Sequence, residues 1–301
     1  MRNQRHRSAT IAIVIGAAAF LCTPAPARPD QLQNIPAVEL VRKTVDIELK
    51  ASKDAENLMF RSHKQTSSGS QTKLFVQTRD AMAVMLIAVN DQPLTTQQRQ
   101  AEEGRLQNLI KNPDELKRKK KQERDDAERT NRIMRALPDA FLYEYAGTEK
   151  GNAKVGKEGD ELIRLKFRPN PKYDPPSRVE QVLTGMQGFV LIDAKRQRIA
   201  KMDGTLFKEV GFGWGILGHL DRGGNFLVEQ ADVGDDIWAI TRMRLSFTGK
   251  AFLFKNIAFK HDEVFSEFRR VPDNLSFAEG VALLHKQEPA REEAKNGNKG
   301  P

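Results

Sequence analysis

ELIRLKFR, residues 161–168, is the stretch on which the reading of this chain turns. Ile163, Leu165 and Phe167 alternate strictly with Arg164, Lys166 and Arg168. In a strand, successive side chains point to opposite faces, so this period of two marks one apolar and one solvated face. Such one-sided strands belong to antiparallel sheets, because parallel strands are covered on both faces and read as continuous apolar runs. The pattern recurs downstream. Gly188–Asp193 and Arg198–Phe207 flank a turn at Ala194-Lys195, and Asn225–Ala231, Asp236–Phe247 and Ala251–His261 follow. Within Asp236–Phe247, the residues Ile237, Ala239, Met243, Leu245 and Phe247 are expected on one face, with Thr248-Gly249-Lys250 as a hairpin turn. No segment between Gly185 and Lys260 has a helical period, which predicts an antiparallel meander.

Upstream, Val38, Val41, Val45 and Leu49 recur at spacings of three and four over Ala37–Ala51, an amphipathic helix. Three strands are expected over Asn57–Gln65, Lys73–Arg79 and Ala81–Val89, joined by short polar turns that favour hairpins. Thr95 and Gln98 have the spacing of a capping box for a helix reaching about Lys111. Asn112-Pro113-Asp114-Glu115 starts a second helix, expected to reach about Ala136, with a cap, a first-position proline and acids in the first turn. Ser276–His285 reads as a last helix with Ser276 and Glu279 as its box, and Gln287–Pro301 as a disordered tail. The fold class expected is α+β: one large curved antiparallel sheet, an open half-barrel, with helices on its concave face. The charged helical insertion at about 95–136 belongs to a single domain over 28–286.

Arg2, Arg5 and Arg7, the apolar run Ala9–Leu21 and the small-x-small triplet Ala25-Pro26-Ala27 make residues 1–27 a secretory signal peptide. A periplasmic protein is expected. The chain's one cysteine, Cys22, follows Leu21 rather than a small residue, which favours a cleaved signal over lipid anchoring. Without disulfides, the core must hold the domain together. The net charge of +9 is partly carried by the signal's arginines, and the remaining excess is too diffuse for nucleic acid.

Several chemistries are excluded by context. Residues 213–218, GWGILG, match a dinucleotide fingerprint, but the glycine pair Gly223-Gly224 leaves no room for the required helix. His63, His219, His261 and His285 include no two at metal-ligand spacing, so neither a metal nor a cofactor is expected. The Asp125-Asp126 and Asp235-Asp236 pairs sit in a charged helix and a turn, and no G-x-S-x-G elbow occurs. Lys117–Lys121 suits an anionic membrane surface, but its acidic neighbours Glu123, Asp125, Asp126 and Glu128 favour a solvated helix face with internal pairs.

The segments LKFRPNP (165–171), PPSR (175–178), GFVLID (188–193), IAKMDG (199–204) and FGWGILG (212–218) resemble the outer-membrane lipoprotein-sorting superfamily, with its LolA/LolB/RseB-like half-barrel. The likeness runs over roughly 37–286 and is firmest from 161 onward; the helices at 95–136 are an addition to that fold. It implies an apolar cavity between sheet and helices that holds a lipid or a lipoprotein acyl chain. A buried methylene contributes about 0.8 kcal/mol to such binding. The candidate lining is Phe167, Phe189, Leu191, Phe226, Val228, Met243, Leu245 and Phe247, with Trp214 at one end. Each of these has a second reading as ordinary packed core. The function expected is a non-enzymatic binding or carrier protein, the alternative being a sensor whose charged helices bind a partner protein.

Overall fold

The computed structural model describes residues 35–53, 57–212, 218–251 and 255–287. The expected signal peptide, Trp214 and the tail beyond Gln287 lie outside the described residues. The helices are α1 (Ala37–Lys53), α2 (Thr96–Lys111), α3 (Pro113–Ala140), the short α4 (Arg178–Gln181) and α5 (Phe277–Gln287). The strands are β1 (Leu58–Thr66), β2 (Gly69–Val76), β3 (Ala83–Val89), β4 (Gln92–Pro93), β5 (Phe141–Lys150), β6 (Glu161–Pro169) and β7 (Met186–Asp193). They continue with β8 (Ile199–Leu206), β9 (Val210–Phe212), β10 (Gly218–Leu220), β11 (Asn225–Asp232), β12 (Trp238–Ala251) and β13 (Lys255–Arg270).

These strands form one open antiparallel sheet in the order β4-β3-β2-β1-β13-β12-β11-β8-β7-β6-β5, with β10 paired to the end of β12 and β9 to β10. The expected meander is present, and so are the early hairpins. The expected cap of α2 is made in full: the Thr95 hydroxyl accepts the Gln98 N–H, and the Gln98 side chain accepts the Thr95 N–H. Asn112 caps α3 in the same way, accepting the Glu115 N–H ahead of Pro113.

The helices do not share one face, which corrects the expectation of a single helical layer. Paired residues of an antiparallel ladder point to the same side. The run Val190–Met202–Val228–Met243–Glu263–Lys64 therefore carries one face of the sheet from β7 to β1. On that face α1 and the C-terminal part of α3 close a first core with Ile163, Leu165, Phe167, Val190 and Ile192. Met59, Leu74 and Val76 alternate out of phase with Lys64 and lie on the reverse face. There α2 and α5 close a second core through Leu106, Leu109, Phe277 and Leu284. Each helical pair covers one end of the sheet, on opposite sides.

Three local expectations change. The buried stripe of α1 centres on Leu40, Val41, Thr44 and Val45, with Val38 only half-buried. Thr241 is an extra residue in the β11–β12 ladder, between Gln230↔Ile240 and Glu229↔Arg242. Such a bulge breaks the alternation, so Ile237 and Ala239 do not continue the face of Met243, Leu245 and Phe247. Thr248-Gly249-Lys250 is strand, not turn; these residues pair with β13 and with β10.

Candidate functional site

The ladder aligns one lateral row across most of the sheet: Tyr143–Phe167–Gly188–Gly204–Phe226–Leu245–His261–Thr66. Its left part is closed. Phe167 is buried and tilts against Phe141 with ring centroids 4.7 Å apart, and Tyr143 donates to the Leu137 carbonyl at 2.8 Å. Burial raises the pKa of that phenol. At the two glycines that follow, neighbouring groups approach the backbone closely. A side chain on Gly188 would strike the Asp203 carbonyl, and one on Gly204 would occupy the place of the Phe226 ring. Beyond them, Phe226, Val228, Met243, Leu245 and Phe247 are half-buried, and Ile257 and Phe259 on the same face are 40% and 47% exposed. The helices pack at the two ends of the sheet; Phe226 and Phe247 pack against the edge of the first core, while Val228, Met243 and Leu245 belong to neither helical core.

The strip ends in a polar cluster on β13 and β1. Ser62, 2% exposed, donates to Glu263 at 2.5 Å, and Lys64 Nζ stands 3.8 Å from the same carboxylate. His261 is 6% exposed, stacks edge-on against Phe259 at 4.9 Å, and neither ring nitrogen has a hydrogen-bond partner. Burial pushes its pKa down, and the Lys64 charge adds to this, so the imidazole is held neutral. A buried unpaired polar group costs about 1–3 kcal/mol.

Of the residues expected to line a cavity, five share this face and are adjacent: Phe226, Val228, Met243, Leu245 and Phe247. Phe167 is on the same face but within the closed core. Phe189 and Leu191 pair with Asp203 and Lys201, out of phase with Gly188 and Val190. They lie on the reverse face, in a third cluster with Leu162, Ala200 and Trp238, and cannot line the same space. Arg164 sits 3.7 Å over the Phe189 ring. Trp214 lies outside the described residues.

A recess of 960 Å³ borders none of the expected lining residues. It opens on the reverse face at the Arg242–Val264 register, and its charges neutralise one another: Lys157 Nζ is 3.1 Å from Asp232 and 3.7 Å from Asp236. Val233, Val264, Phe265 and Phe268 line it beside these ion pairs, so it is a mixed recess, distinct from the apolar strip. The reverse face also brings Glu209, His219 and Asp221 together, a grouping that sequence spacing does not disclose.

The helices at 95–136 are integral to the fold. Leu106 and Leu109 belong to the second core, while Leu137 and Ala140, just beyond the expected end, belong to the first. The charges of α3 pair along the helix, as Lys119–Glu123 and Lys121–Asp125 at 2.6 Å each and Arg135–Glu128 at 2.9 Å. Among the described residues no helix is long and apolar enough to cross a membrane.

No protein-family model matches the chain, and no curated protein matches it. Among solved structures it is similar to a DUF1329 family protein from Desulfovibrio piger, with a TM-score of 0.26 and 11% identity over 79% of this chain and 95% of that one.

Proposed function

We propose that this chain is a non-enzymatic binding or carrier protein of the periplasm whose ligand is apolar, a lipid or a lipoprotein acyl chain. The observation that supports it is the strip Phe226–Val228–Met243–Leu245–Phe247, aligned on one sheet face and left half-buried beside the first core. Water against such a surface is unfavourable by about 25 cal/mol per Å². An acyl chain lying along the strip removes that contact. The polar cluster at the end of the strip suits a head group, since the neutral His261 imidazole has one donor and one acceptor unused. The secretory-type N-terminus supports the location. The alternative, a sensor acting through its charged helices, draws less support, because those charges already pair within α3.

Native mass spectrometry of the chain purified from a bacterial periplasm, with titration of a fluorescent fatty-acid analogue, tests the proposal. Acylated species should be retained or taken up. Leu245→Glu and Met243→Glu should each weaken uptake roughly tenfold or more, one decade being about 1.4 kcal/mol, while the circular dichroism stays unchanged. Failure to take up any acylated molecule, or uptake indifferent to both substitutions, would overturn it.

A further inference from the structure

The short ribbon of β9 and β10 carries three donor groups to one place on the reverse face. Val210 pairs with Leu220, and Gly211 with His219. Val210 and Leu220 turn into the first core, which leaves the out-of-phase positions Glu209, His219 and Asp221 together on the other side. His219 Nε2 lies 3.3 Å from Asp221 Oδ1 and 3.9 Å from Glu209 Oε2, and all three donor atoms fall within 4.8 Å of one another. Ligands held at about 2.0–2.2 Å from one ion stand roughly 3.0–3.4 Å apart at octahedral or tetrahedral angles. Small rotations of the half-exposed Asp221 and the exposed Glu209 reach that spacing.

The grouping is distinctive. His63 with Asp91 at 3.6 Å and His285 with Glu103 at 3.2 Å are also histidine–carboxylate neighbours. Among the described residues, however, only Glu209, His219 and Asp221 form a set of three. One imidazole with two carboxylates and no thiolate suits a divalent first-row ion such as zinc or manganese. Lys250 pairs with His219 from β12 and is exposed; its charge opposes a dication at this spot.

We infer that Glu209, His219 and Asp221 bind a divalent transition-metal ion, with water completing its coordination, and that the ion clamps β9 to β10. The site lies on the face opposite the apolar strip, so it stands or falls independently of acyl binding. Calorimetric titration of the chelator-treated full chain with zinc chloride, alongside thermal unfolding with and without zinc, tests it. One bound ion per chain and a zinc-dependent rise in Tm are expected. His219→Ala, and Glu209→Gln combined with Asp221→Asn, should weaken binding roughly a hundredfold. Lys250→Ala should tighten it several-fold, and His63→Ala and His285→Ala should leave it unchanged. Should His219→Ala fold poorly, the exposed Glu209→Gln alone still gives the answer. Absence of zinc binding by the wild type, binding that survives loss of the three donors, or binding lost instead with His63→Ala or His285→Ala overturns the inference.

Discussion

The same alternating pattern builds β6 and β12, yet the two strands end in different environments. Ile163 and Leu165 of β6 are fully buried under α1 and α3, whereas Met243, Leu245 and Phe247 of β12 face the same side and stay half-buried. Alternation therefore fixes which side chains turn inward, and only helix coverage decides whether inward means dry. The uncovered strands are where a ligand has something to gain, because the covered ones have already lost their water.

The largest expected effect is a difference in the response to truncation. Leu165→Ala removes atoms from a closed core that relaxes little, at a cost of about 3–4 kcal/mol. Leu245→Ala removes atoms that water already touches in part, and should cost about 1 kcal/mol. Urea denaturation of both variants checks this. Equal losses would mean that the middle strands are as tightly covered as the end of the sheet. A smaller effect, about 1–3 kcal/mol, is expected for Gly188→Ala, since the new methyl meets the Asp203 carbonyl on the neighbouring strand and the ladder must shift. Its position between Phe167 and Gly204 makes it the hinge of the comparison.

Much of this was legible in the sequence, and the failures have physical reasons. β6 carries clean alternation, and the cap of α2 is fixed by two side chains three positions apart. β5 escaped reading because Phe141, Tyr143 and Tyr145 begin to alternate directly at the end of α3, with no turn residue between. Gly249 reads as a turn glycine, but its role is close approach: a side chain there would strike the backbone of His219, so β10 could not pair. The division of helices between two faces is invisible in one dimension, because both faces of a sheet are apolar wherever something covers them. The ends of the site were half-legible. Alternation places Met243, Leu245 and Phe247 on one face, while Phe226, Val228, Phe189 and Leu191 enter the lining only through the family likeness, and the last two belong to the reverse face. His261, Glu263 and Ser62 could be joined only by knowing that β13 pairs with β1. Glu209 likewise joins His219 only across a ribbon.

The smallest effects expected separate the two regions by the sign of their pH dependence. Asp193, the last residue of β7, is fully buried; its Oδ1 accepts the Lys195 and Arg196 N–H groups at 3.0 and 2.7 Å, but its Oδ2 has no hydrogen bond. Burial raises its pKa against the pull of those N–H groups and of Arg196. A carboxyl with a raised folded pKa weakens the fold above that value, and the penalty disappears as pH falls through it. Asp262 on β13 is 31% exposed and gripped from β12 by Arg242 at 2.8 and 2.5 Å, with Arg244 at 3.2 Å. The Arg242 hydrogen bonds hold its carboxyl below the ordinary range, against some burial. Its contribution is present above the unfolded pKa of about 3.9 and is lost as pH falls through the lower folded value. Solvent screening at this exposure limits it to roughly 0.5–1 kcal/mol. Asp193→Asn keeps the Oδ1 acceptor and should be neutral to slightly stabilising at pH 7, by under about 1 kcal/mol, with the gain fading on acidification. Asp262→Asn should be destabilising at pH 7, with the loss fading on acidification. Paired urea titrations at pH 7 and at about pH 3.5 read both slopes. Slopes of the same sign would show that burial, and not the Arg242 clamp, sets the state of Asp262.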